Sequence, residues 1–132
     1  MFFSLLNASF SPFFMLVSVA LFEVHISQAT SLKDKRRVVQ SLKAGIRSRF
    51  EVSTAEVGLQ ELHQRSRIAV SFVTSDAPGA ARLMSDIQRF VEEESRAVLT
   101  GWTEETLDFD ENAALDVPGF RLEGKFGDEE NS

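Results

Sequence analysis

The chain has 132 residues, 43% hydrophobic and 26% charged, which suits one globular domain with a modest two-layer core. It has no cysteine, excluding a disulfide scaffold, a thiol nucleophile and a cysteine-based metal site and fitting a reducing, cytoplasmic setting. The net charge of −6 is uneven: residues 108–132 carry −6, residues 31–50 carry +6, and the remainder carries −6. An acidic isoelectric point therefore hides one strongly basic segment.

Residues 1–14, MFFSLLNASFSPFF, are apolar and rich in phenylalanine. A secretory signal would begin with basic residues, yet the first basic side chain is Lys33. A membrane span needs ~20 apolar residues, and the run is interrupted at Asn7–Pro12 and again at Glu23 and His25. Met15 offers an alternative start, which would make residues 1–14 an apolar extension.

From Leu16 the pattern becomes two-fold. Leu16, Ser18, Ala20, Phe22, Val24 and Ile26 form one face, and Val17, Val19, Leu21, Glu23 and His25 form the other. This predicts a strand buried on one side, with a second side that turns polar toward its end.

Residues 31–50, SLKDKRRVVQSLKAGIRSRF, predict one amphipathic helix. Ser31 is a natural N-cap and Asp34 stands at the third helical position, a near capping box. Leu32, Val39, Leu42, Ile46 and Phe50 form an apolar stripe at helical spacing. Beside it, at about 100° per residue, Lys33, Arg36, Arg37, Lys43 and Arg47 fan out as a basic ridge. Lys35 and Arg49 complete the seven bases of the segment, against the single acid Asp34.

A weaker strand follows at residues 51–59, then a polar connection at 60–65 and a third strand at 67–74. Ser75-Asp76-Ala77-Pro78 is helix-start chemistry. Ala80, Leu83, Met84, Ile87, Phe90 and Val91 mark the buried face of a second helix reaching about Arg96. A fourth strand occupies residues 98–109 and contains Trp102, and the acidic stretch 110–132 reads as a disordered tail. The order β-α-β-β-α-β predicts a ferredoxin-like α+β fold over residues 15–109. It has a four-stranded antiparallel sheet, both helices on one face, and the first and third strands central. Apolar residues left on the other face, Val17, Val19 and Leu21 among them, predict a homodimer or another sheet-covering contact.

Several words of the sequence resemble the YlxP-like family of small bacterial proteins. They are Met15-Leu16-Val17, Glu23-Val24-His25-Ile26, and Ser31-Leu32-Lys33-Asp34-Lys35-Arg36-Arg37 with Ser41-Leu42-Lys43. Phe50-Glu51-Val52-Ser53, Ala55-Glu56-Val57 and Arg89-Phe90-Val91-Glu92-Glu93 continue the likeness, which runs from Met15 to about Leu107. The resemblance implies a ferredoxin-like fold, a start at Met15, and a domain of unknown function. It also implies genes often near translation and ribosome-maturation factors. The loop Gly58-Leu59-Gln60-Glu61-Leu62-His63-Gln64 departs from the family by lacking the expected Asp and Trp, and the tail is additional.

For function, the basic ridge together with the family context points to ribosomal RNA or a ribosomal subunit. The opposing reading is an ordinary solvated helix face. No DNA specificity is expected. Base stacking in the manner of an RNA-recognition motif is not expected either, because the third strand offers only Phe72 and the chain has no tyrosine. Glu23 and His25, two apart on one strand face, form a polar pair able to share a proton or to join His63 at a metal. The plainer reading is two residues closing the solvated end of a sheet. There is no phosphate-binding loop, dinucleotide motif or nucleophile–histidine–acid spacing. The expectation is therefore a non-catalytic protein with no cofactor and no metal. The alternative is a dimeric protein- or ligand-binding module acting through its open sheet face.

Overall fold

The computed structural model describes residues 14–110 of the chain. The apolar extension and the acidic tail, apart from the strand ends at Phe14 and Asp110, lie outside those residues. Four strands and two helices follow the expected order: β1 (Phe14–His25), α1 (Leu32–Arg49), β2 (Ser53–Gly58), β3 (Arg65–Thr74), α2 (Ala77–Glu92) and β4 (Val98–Asp110). They form one antiparallel sheet in the order β2-β3-β1-β4, with β1 and β3 central. This is the ferredoxin-like arrangement.

The two-fold pattern of β1 decides which side is covered. Leu16, Ser18, Ala20, Phe22 and Val24 are all buried, as are Ile68, Val70 and Phe72 of β3. They meet Val39, Leu42 and Ile46 of α1 and Ala80, Met84, Ile87 and Val91 of α2 in a single core. Both helices thus lie on one face of the sheet, α1 toward β2 and α2 toward β1 and β4. Where the helices meet, the Phe90 ring lies over Gly45. A Cβ there would come within 2.8 Å of the ring, so the close approach depends on glycine. Phe90 also meets Phe50 edge-on, with ring centroids 5.9 Å apart.

Local chemistry sets the element ends. Ser31 Oγ accepts from the Asp34 backbone N–H at 3.1 Å. The Asp34 carboxylate reaches back one residue beyond the usual capping-box partner, accepting from the backbone N–H and hydroxyl of Thr30 at 3.0 and 2.8 Å. Asp76 caps α2 by accepting from the Gly79 N–H, with Pro78 in the first turn. The second helix is shorter than its periodicity predicts, ending at Glu92 rather than near Arg96. The carboxylate of Glu94 accepts from both the backbone N–H and the side chain of Arg96, and this tight loop replaces the last turn. The third strand is two residues longer than predicted, because Arg65 and Ser66 pair with His25 and Val24.

On the helix side, Trp102 of β4 pairs with Phe22. The two rings stack with centroids 5.3 Å apart and an interplanar angle of 16°. The indole N–H donates to Glu104 at 3.0 Å. A bulge between Glu23 and Val24 restores the inward direction of Leu99 one step later.

Candidate nucleic-acid interface

The basic ridge forms on α1 as its spacing predicts. Lys33, Arg36, Arg37 and Arg47 are exposed, and Lys43 is half-buried. Lys43 borders the apolar stripe, where a long side chain covers core residues with its methylenes and keeps its ammonium in water. At a 1.5 Å rise per residue the ridge from Lys33 to Arg47 spans ~21 Å. Among the described residues, Lys33, Arg36, Lys43 and Arg47 have no carboxylate within ion-pair distance. Arg37 lies 3.8 Å from Asp34, too far for a strong pair. Asp34 is in turn held below the ordinary carboxylate range, chiefly by the Thr30 backbone N–H and then by the Thr30 hydroxyl. It stays ionised beside the ridge and offsets part of its charge.

Two of the other cations on the helix have different roles. Arg49 lies over the Phe90 ring, 5.2 Å from its centroid, and covers the contact between the helices. Lys35 is fully buried. Its ammonium donates to the backbone carbonyls of Leu59 at 2.9 Å and Gln60 at 3.3 Å and pairs with Glu56 Oε2 at 2.9 Å. The buried Ser66 hydroxyl donates to that same oxygen at 2.7 Å. Leu59 has φ of 59°, a left-handed conformation costly for leucine, and its carbonyl is one that Lys35 holds. Lys35 therefore ties α1 to the turn between β2 and β3 and adds nothing to the exposed ridge. The signal was in the sequence: Lys35 precedes Leu42 by seven residues and Ile46 by eleven, which places it within about 20° of both on the helix.

Beside the ridge a cleft of about 460 Å³ opens between the β1–α1 connection and the α2–β4 loop. Ile26, Ala29, Val38 and Val98 line it together with Arg37 and Arg96. The guanidinium of Arg96 is engaged by Glu94 and by the Ser41 hydroxyl. Of the two arginines, Arg37 is thus the one available to a ligand.

Glu23 and His25 do share the open face of β1, as the alternation requires. Both carboxylate oxygens of Glu23 are engaged from β3. Arg65 donates to Oε2 at 2.8 and 2.6 Å, and Arg67 donates to Oε1 at 3.2 Å. The Arg65 hydrogen bond first, and then that of Arg67, hold the Glu23 carboxyl below its ordinary range. Neither arginine figured in the sequence reading of the pair. The clue was their spacing two apart in a strand antiparallel to β1, which places them opposite His25 and Glu23. His63 sits in the exposed β2–β3 connection. Gln64 fastens that connection to the turn after β1 by donating to the carbonyls of Ser27 and Ala29. Among the described residues, no group of three or more metal-ligating side chains lies close enough to hold a metal. No described helix is long and apolar enough to cross a membrane.

Phe72, the aromatic residue of β3, is buried on the helix side opposite Ser18. Its ring is therefore turned away from any ligand on the open sheet.

Comparison with known proteins gives a family and no activity. A designed protein, "De novo designed protein Foldit4", is similar at a TM-score of 0.42 and 14% identity, over 71% of this chain and 96% of that one. "Uncharacterized protein YlxP" of Bacillus subtilis (strain 168) is 30% identical over 91 residues, covering 66% of this chain and 99% of the relative. Residues 17–103 match the family described as "Protein of unknown function (DUF503)". On these two sequence matches, the chain belongs to the DUF503 family, the YlxP-like proteins, whose function is unknown.

Proposed function

We propose that the chain is a non-catalytic accessory factor that associates with RNA or with a ribosomal subunit through the exposed ridge of α1. One observation carries this reading. Lys33, Arg36 and Arg47 project from one rigid helix along ~21 Å with no carboxylate partner among the described residues. Cations spaced along a rigid rod can follow a phosphate backbone and release its condensed counterions. Backbone contacts of this kind carry charge recognition and no base readout, so the expected ligand is structured RNA recognised by shape. The open sheet contributes little to this mode, since Phe72 faces inward.

The test is co-sedimentation with purified ribosomal subunits at low and high salt. The wild-type protein should travel with a subunit at low salt and leave it as salt rises. Replacing Lys33, Arg36, Arg37, Lys43 and Arg47 with Gln should abolish binding in a protein that remains folded, because Gln keeps a similar helix propensity. Each phosphate contact removed should flatten the logarithmic salt dependence by roughly 0.7–0.9. Binding by the five-fold variant with an unchanged slope would remove α1 from the interface.

A further inference from the structure

The face of the sheet opposite the helices is not covered by any described residue, and its side chains are unlike those of an ordinary solvated sheet. Reading across β3, β1 and β4, the rungs are Val73–Val17–Leu107, Ser71–Val19–Glu105, Ala69–Leu21–Thr103 and Arg67–Glu23–Gly101. Phe109 opposite Met15 extends the apolar end. Val19, Leu21, Val73, Leu107 and Phe109 are each 36–63% exposed. A contiguous apolar patch of this kind on three adjacent strands marks an interaction surface.

We infer that the occupant of this face is a second copy of the chain, packed sheet against sheet about a two-fold axis. Charge is the first argument. The face carries Arg65 and Arg67 against Glu23 and Glu105, two of each sign and so no net charge, and Glu23 pairs with both arginines. A polyanion would find no excess of cations there, and a strongly charged protein no counter-charge. An isologous contact needs neither, because it sets the same balanced patch against itself. Area is the second argument. The rungs from Met15 to His25 cover ~33 Å along the strands, and four strands cover ~15–19 Å across them. The footprint is roughly 500–600 Å² before side-chain relief, somewhat below the ~800 Å² per partner of a standard stable interface. A reversible dimer of micromolar strength fits that area better than a permanent one. Because the helices lie on the far side of the sheet, the dimer would carry its two basic ridges on opposite outer surfaces. The inference does not depend on RNA binding.

The full chain should show concentration-dependent sedimentation between monomer and dimer, with a midpoint on the order of 10–100 µM. Leu21→Glu places a carboxylate in the middle of the face, and with an unchanged far-ultraviolet spectrum it should weaken the dimer at least tenfold. The absence of native cysteine allows a second measurement that does not depend on that variant folding. Packed sheets lie ~10 Å apart, so a short bis-maleimide should join two copies of Leu21→Cys or Val19→Cys. Gln40→Cys, on the exposed side of α1, should remain unlinked. A wild-type chain that stays monomeric to several hundred micromolar overturns the inference. So does a dimer indifferent to Leu21→Glu, or cross-linking at Gln40→Cys as fast as at the sheet positions.

Discussion

Lys35 offers the sharpest test of how this fold holds together. Lys35→Ala would leave the carbonyls of Leu59 and Gln60 without their donor and Glu56 with only the Ser66 hydroxyl. Removing one member of a buried ion pair costs about 3–5 kcal/mol, because the other charge stays desolvated. The lower end applies here, since the Glu56 side chain retains 15% exposure and water can reach it. For a folded unit of this size each kcal/mol shifts the melting temperature by about 4–8 °C, so a loss of ~3 kcal/mol lowers it by roughly 12–24 °C. Circular dichroism on heating at neutral pH reads this directly. Hydrogen exchange should show the loosening concentrated in residues 59–64, where Leu59 gives up its strained conformation. Glu56→Gln alone should be milder, and the double variant Lys35→Ala with Glu56→Gln should cost less than the two single losses added together, since a neutral amide beside the missing ammonium leaves no uncompensated charge. A fall of less than ~1 kcal/mol in Lys35→Ala would refute the reasoning. So would a double variant that is simply additive within about 0.5 kcal/mol.

Three further outcomes are expected. The Glu23 carboxyl is lowered in the folded state from an ordinary value of 4.5. Its contribution is therefore complete above that value and is lost as pH falls through the folded one. Denaturation midpoints measured from neutral pH into the acid range should decline less in Glu23→Gln than in wild type. Equal slopes would show that the arginine contacts stabilise nothing. Trp102→Ala should cost about 2–3 kcal/mol in urea unfolding through loss of the stack on Phe22, less than a fully buried tryptophan because Trp102 is only partly buried. Thr54 Oγ1 is buried without a hydrogen-bond partner among the described residues. Thr54→Val should accordingly leave the midpoint unchanged or raise stability by up to ~1 kcal/mol, and a clear loss would reveal a partner for the hydroxyl.

Periodicity determined much of this protein in advance. Alternation in β1 and heptad-like spacing in α1 and α2 named the buried residues almost one for one, because a strand or helix with one apolar side has only one side to bury. The right-handed crossover rule then left a single strand order for βαββαβ, the one observed. Exposure of the ridge at Lys33, Arg36, Arg37 and Arg47 followed from the same geometry. The tertiary structure alone decided what depends on two elements meeting. Helical spacing puts Lys35 on the buried side of α1, but its partners, the carbonyls of Leu59 and Gln60 and the carboxylate of Glu56, arrive only when the β2 strand and its turn pack against the helix. Arg65 and Arg67 became the partners of Glu23 through the register between β3 and β1. The end of α2 was set by Glu94 turning back on Arg96 rather than by any break in its apolar spacing. Local pattern fixes which side of an element is buried. Charge pairing between distant elements is set by register and packing, which a periodic pattern does not encode.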